Sequence, residues 1–272
     1  MRAVLEPTIT PRRPRLRWWR EVLYVLAFYG IYTLVRNRFG SAAVGPRPAF
    51  AHALDVINIE RAVGLFHEAT VQSWFLGWRW FVAFWNIYYG TAHFVFTTGA
   101  LIFCFHKRRH VYALWRNTLA ATTAVALVGF STFPLMPPRL LNNPVSFGGG
   151  HLTSVNYGFV DTLQKIGGLW SFDSGTMMKI SNQYAAMPSL HTAWALWVTI
   201  VMWPGVRSRV GRAVLVVYPL ATLFCIVVTA NHYWLDGVAG VAALGVGYAI
   251  GRWITRQWAM HHAASELEGV NN

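Results

Sequence analysis

The chain has 272 residues, of which 55% are hydrophobic and only 12% charged, about half the roughly 25% charge of a soluble domain. Aromatic residues reach 15%, with 14 Trp, as suits a bilayer protein that gathers Trp and Tyr at both lipid–water interfaces. The net charge of +13 does not point to nucleic acid, because the basic residues lie between apolar spans rather than on one polar face, and the two cysteines, Cys104 and Cys225, sit in apolar runs and exclude a disulfide framework or a cysteine metal site.

In chain order, a basic tail (1–17) leads into the first of six apolar segments. These are Trp18–Val35, Trp78–Phe105, Val111–Pro134, Met187–Trp203, Val210–Ala230 and Tyr233–Thr255. Each is close to the roughly 20 residues that cross a hydrocarbon core. The second is long enough to tilt or project, and the fourth is short and opens at a proline turn. The first reads as a span rather than a signal peptide: Gly40-Ser41-Ala42 is a passable cleavage site, but the run is bulky and longer than a signal core. The spans occupy 18–256, and 257–272 form a C-terminal tail. No internal repeat or low-complexity stretch is present.

Lys and Arg set the orientation. The N-terminal tail through Arg20, the 106–110 loop, the 204–212 loop and the end from Arg252 carry 14 of them, whereas the longer connections 36–77 and 135–186 carry 7. The positive-inside rule then places both termini in the cytoplasm and the two long connections outside. In the first connection, whose outer amphipathic segment runs over 49–77, Val56, Ile59, Val63 and Phe66 fall at helical spacing. Asp55, Glu60, Arg61 and His67 lie on other faces. This predicts an amphipathic helix on the outer surface, or equally a packing helix over the bundle. The connection 135–186 is rich in Gly, Pro, Asn and Ser, and a loop of that length is commonly functional.

Ionisable groups at membrane depth are candidate sites by default. Asp236 follows His232 by four residues, which places both on one helical face. The carboxylate can then fix the imidazole tautomer and stabilise its charge during attack; a structural His–Asp pair is the plain alternative. Met187-Pro188-Ser189-Leu190-His191 opens the fourth span. Pro suits a first helical turn, and the free N–H groups of such an end attract phosphate, with His191 placed for proton transfer. The plain alternative is a capping Ser beside an interfacial His. Met136-Pro137-Pro138-Arg139 follows the third span, and Arg139 is either a phosphate fork or a snorkelling side chain. The predicted topology brings all three elements to the outer face. Asn86, Tyr89 and His93 also share a face of the second span. They line a head-group pocket or serve interhelical hydrogen bonding.

These residues resemble the type 2 phosphatidic acid phosphatase (PAP2) superfamily, whose pattern is a basic motif, then Pro-Ser-x-His, then His-x-x-x-Asp. The wording Pro-Pro-Arg, Ala-Ala-Met-Pro-Ser-Leu-His and Asn-His-Tyr-Trp-Leu-Asp-Gly-Val-Ala-Gly is similar to the inositolphosphotransferase-like branch, related to inositol phosphorylceramide synthases. Glu60, Gln72, Asn86, Tyr89, His93 and Arg116 also stand where that branch carries similar residues. The resemblance covers roughly residues 50–255 and implies an all-α integral membrane protein. Its fold would be a six-helix PAP2-type bundle with an outer amphipathic helix and a long outer loop. It implies that His232 is a nucleophile forming a phosphohistidine, Asp236 its orienting partner and His191 the proton donor. Arg139 and Ser189 would hold the phosphoryl oxygens, and Asn86, Tyr89, His93, Arg116 and Lys179 are substrate-pocket candidates. No cofactor or metal is implied, in line with the lack of a carboxylate cluster for magnesium.

Two departures stand out. Thr132 occupies the place of the motif Lys seven residues before Arg139, and Ile226 that of the motif Arg six residues before His232. Either Lys165, Lys179 or Arg116 supplies the charge, or the phosphate is a diester with less charge to neutralise. The expected substrate is a membrane lipid phosphoester. The expected reaction leans to head-group transfer onto a polar alcohol such as inositol. Release of inorganic phosphate is the alternative within the same class, and a lipid transporter, a scramblase or a non-catalytic scaffold are the alternatives outside it.

Overall fold

The computed structural model describes residues 17–39, 44–168 and 183–270. Among these residues the chain is helical, with no strand and one isolated bridge between Leu135 and Ala185. The helices are α1 (Trp18–Phe39), α2 (Pro46–Ala62), α3 (Glu68–Phe75), α4 (Arg79–Lys107), α5 (Arg109–Thr132), α6 (Thr162–Lys165), α7 (Leu190–Met202), α8 (Arg209–Val228) and α9 (Trp234–Val270). A helix lies on each of the six apolar segments. Three of them, α4, α8 and α9, are long and apolar enough to cross a membrane. Helix α7 has 13 residues, short of the roughly 20 needed, and α5 carries Arg109, His110, Arg116 and Asn117.

Helices α5 and α9 make the closest pairing in the bundle. Gly247 lies against Thr122, and a Cβ on Gly251 would meet the Thr118 nitrogen at 2.6 Å. Small residues let helix backbones approach where burial from water gives no drive. Pro219 interrupts α8 and cannot donate to the Leu215 carbonyl one turn back. Thr199 of α7 donates its hydroxyl to that carbonyl at 2.8 Å, so the span keeps its backbone satisfied.

One end of the bundle is capped by α2, α3 and the connection after α5. Ala49, Phe50, Ala53, Val56 and Ile57 pack with Leu135, Met136, Leu140, Leu141 and Tyr233 into one apolar cluster. The predicted stripe on the first connection needs correction. Val56 points inward, but Ile59 is 50% and Val63 62% exposed. The helix stops at Ala62, with Gly64 turning the chain at φ 71, a left-handed conformation that glycine adopts freely. Phe66 therefore reaches the cluster from a turn. The inward face continues instead to Glu60, expected on a polar face and found fully buried.

The second connection is stitched to the helices rather than loose. Gln72 of α3 donates to the Val160 carbonyl and accepts from the Val160 N–H, both at 2.9 Å. Asn86 of α4 donates to the carbonyls of Thr162 and Gly167 and accepts from the Thr162 hydroxyl.

Candidate active site

Helix α8 ends in a tight turn that delivers His232. The Ile226 carbonyl accepts from the N–H groups of both Asn231 and His232, at 3.0 and 3.1 Å. Between them Ala230 sits at φ 52, a left-handed conformation costing a residue with a Cβ about 1–2 kcal/mol. Its carbonyl accepts from the Arg139 N–H at 2.8 Å, so the loop after α5 holds the turn in place. Ile226 thus serves through its backbone.

Asp236 lies one turn into α9. Its Oδ2 accepts from His232 Nδ1 at 3.1 Å and from the Tyr233 N–H at 3.0 Å. A carboxylate oxygen accepts, so Nδ1 carries the proton and Nε2 holds the lone pair. His232 Nε2 is buried with no hydrogen-bond partner among the described residues. The His191 ring lies 5.6 Å from the His232 ring, centroid to centroid.

Helix α7 brings His191. Ser189 is the N-cap and accepts from the Thr192 N–H, so Pro188 precedes the cap rather than lying in the first turn. The Ser189 N–H donates to the Asp236 carbonyl at 2.9 Å, and a Cβ at Gly240 would strike the Ser189 carbonyl. These contacts lock the two motif helices together. His191 Nε2 donates to the Tyr89 carbonyl at 3.2 Å, and the Tyr89 ring stacks on the imidazole at 4.3 Å. With Nε2 a donor, the lone pair of the neutral ring lies on Nδ1. The His93 ring meets His191 edge-on at 4.3 Å, and its Nδ1 is buried without a partner.

Arg139 is buried, and each of its three guanidinium nitrogens donates one bond, which leaves one N–H on each Nη. It donates to Asn231 Oδ1 at 2.9 Å, Asp161 Oδ2 at 2.9 Å and Gln183 Oε1 at 2.8 Å. Through Asn231 it lies directly behind His232. Asp161 also accepts from Asn143 Nδ2 at 3.2 Å.

The structure therefore assembles His191, His232, Asp236, Ser189, Tyr89 and His93, with Arg139 against the turn. Asn86 is occupied in clamping the second connection. Arg116 needs correction as a pocket candidate: it pairs with Glu21 of α1 at 2.8 Å and stacks on Tyr24. It lies 16 residues before the end of α5, roughly 24 Å from the site end of that helix at 1.5 Å per residue. Lys165 is exposed, and Lys179 lies outside the described residues. Asp161, Gln183 and Asn231 were missed in the sequence. A signal existed for Asp161, one of only ten acids in the chain, set in a polar connection beside the site.

The PAP2 superfamily model matches residues 54–250, well over half of the chain, and the match spans the His191 and His232–Asp236 elements and Arg139. The chain belongs to the PAP2 superfamily. No curated protein and no solved structure matches it. PAP2 membership suggests phosphatase or phosphotransferase chemistry and a lipid phosphoester substrate. The three apolar helices agree with a membrane protein. Among the described residues no group of three or more His, Cys, Asp or Glu is arranged to hold a metal.

Proposed function

We propose that this PAP2 protein transfers a phospho-head group from a membrane lipid through a phosphohistidine on His232. The observation that carries the reading is the Asp236 bond to His232 Nδ1, which leaves a buried, unpartnered Nε2 beside the His191 ring. Nε2 attacks phosphorus, forming a P–N bond as the P–O bond to the leaving group breaks. His191 gives its proton to the departing oxygen. In the second step the acceptor oxygen attacks phosphorus, the P–N bond breaks, and His191 takes the acceptor's proton. Asp236 stabilises the imidazolium-like charge without itself moving a proton. The N–H groups of Leu190 and His191 and the Arg139 guanidinium are the donors available to the phosphoryl oxygens.

Charge balance favours a diester. Among the described residues the buried cation, Arg139, is already paired with Asp161 at 2.9 Å, and Thr132 and Ile226 stand where the superfamily carries further cations. A diester has one negative charge where a monoester carries nearly two. This supports head-group transfer to an alcohol, inositol among them, over release of inorganic phosphate. The reading includes six spans, cytoplasmic termini and a site at the outer face, with α7 completing its crossing through the 3-10 turn Trp203–Gly205.

Purified protein incubated with a panel of phospholipids and lipid phosphates, with and without inositol, tests it by mass spectrometry. The expected products are the dephosphorylated lipid alcohol of a diester donor and its phospho-head group carried on the acceptor alcohol. Inorganic phosphate from a monoester alone would replace transferase with phosphatase, and no turnover of any lipid phosphoester would sink both.

A further inference from the structure

Three successive amides at the start of α9 each donate to a different buried carboxyl group. The Tyr233 N–H donates to Asp236 at 3.0 Å, the Trp234 N–H to Glu68 Oε1 at 3.2 Å and the Leu235 N–H to Glu60 Oε1 at 2.8 Å. Helix N-termini favour negative groups, and Asp236 alone would serve the nucleophile. Glu60 and Glu68 arrive from α2 and from the start of α3, elements outside the bundle, and both are 0% exposed. Each uses one oxygen on an amide. Their second oxygens, Glu60 Oε2 and Glu68 Oε2, are buried and receive no N–H or O–H from the rest of the described protein, while their first oxygens sit on the successive amides of Leu235 and Trp234, which brings the two carboxyls side by side. Two bare carboxylates in contact and away from water would repel. One proton between them turns that repulsion into a charge-assisted hydrogen bond and satisfies both orphan oxygens.

We propose that Glu60 and Glu68 share one proton and act together as positioning residues, holding the 233–235 turn so that Asp236 faces His232. The proposal rests on the phosphoryl-transfer reading above for its catalytic consequence, but not for the shared proton. Burial, and then the neighbouring Glu68, push the Glu60 carboxyl up to about 9, so the proton stays at neutral pH and leaves on the alkaline side. The groups facing the pair are Asp236, the two donor amides and the Tyr233 phenol. Arg61, next in the chain, turns away to stack on Phe66. Loss of the proton therefore adds a second negative charge beside Asp236 with no cation among the described residues to offset it, and the turn loosens.

The test has two arms on the full chain in detergent micelles. Infrared titration reads the shared proton without any activity. A protonated-carboxyl band at neutral pH that disappears in both Glu60→Gln and Glu68→Gln is expected, since either substitution leaves a single carboxylate with an amide donor. A band that survives in both overturns the proposal. Kinetics with bis(4-nitrophenyl) phosphate and 4-nitrophenyl phosphate read the positioning. Glu60→Ala and Glu68→Ala should lower kcat on the order of 10- to 100-fold, as expected for a slightly misplaced nucleophile, with KM little changed. The wild type should lose kcat on the alkaline side, and each Gln variant should recover most of kcat and lack that fall. Gln variants as impaired as the Ala variants, or Ala variants with unchanged kcat, overturn it. Wild-type protein inert toward both esters and all lipids would instead defeat the function reading, and the infrared arm would still decide the shared proton.

Discussion

His232 Nδ1 lies 3.1 Å from Asp236 Oδ2, and that bond alone decides which end of the imidazole is free to react. Replacing the carboxylate by an amide of the same shape removes the charge and lets the wrong tautomer form. Asp236→Asn should fold as the wild type does and lose on the order of 10³- to 10⁴-fold in kcat, as other His–Asp pairs do. Melting temperature and kcat measured together check this; an undiminished kcat would make the pair structural.

A phosphohistidine is acid-labile and base-stable. Brief mixing with a labelled aryl phosphoester should leave such an adduct on the wild type and none on His232→Ala. His191→Ala should still trap it, because a good leaving group departs without a proton. An adduct in the His232 variant but not in the His191 variant would exchange the two roles.

Arg139 holds Asp161 and, in the proposed reaction, a phosphoryl oxygen, so its removal should have two effects. Arg139→Ala strands a buried carboxylate, with a destabilisation of about 3–5 kcal/mol. Adding Asp161→Asn should return most of the melting temperature but not kcat/KM, which stays roughly ten- to hundredfold down for want of a charged hydrogen bond. Full activity in the double variant would confine Arg139 to a structural role.

His93 touches His191 with its ring edge at 4.3 Å while leaving its Nδ1 unpartnered. His93→Phe preserves the packing volume and removes the nitrogen. An activity loss of about tenfold, within the range of one positioned proton-transfer group, is expected at an unchanged fold. A lowered melting temperature with full activity would make His93 a packing residue.

The proposed orientation puts the second connection outside. Single cysteines at Ser154 and Arg207, both exposed, should react from outside and inside respectively in intact cells. The opposite labelling would invert the protein.

The histidine and aspartate of the site were legible because i,i+4 spacing and helix-end motifs are local. The six helical segments were legible from apolar run length. What the sequence hid depends on distant pairing. Arg139 reads as a free fork until its three partners, 92, 22 and 44 residues away, come into view. Glu60 reads as a solvent-facing acid because a polarity pattern cannot register a carboxyl buried against another. Arg116 looked available for a phosphate until its ion pair with Glu21 placed it toward the other end of α5. Boundaries also moved where a glycine or a cap intervened, as at Gly64 and Ser189.

The three carboxyl groups grip residues 233–235 through main-chain N–H groups, and that grip is blind to the side chains it holds. In a saturation library Trp234 and Leu235 should therefore tolerate many exchanges so long as their outward packing is kept. Proline is the exception, since it has no N–H to give. The permissive sites and the intolerant ones would sit far apart in the chain, with the constraint recorded at Glu60 and Glu68 rather than at the turn they hold.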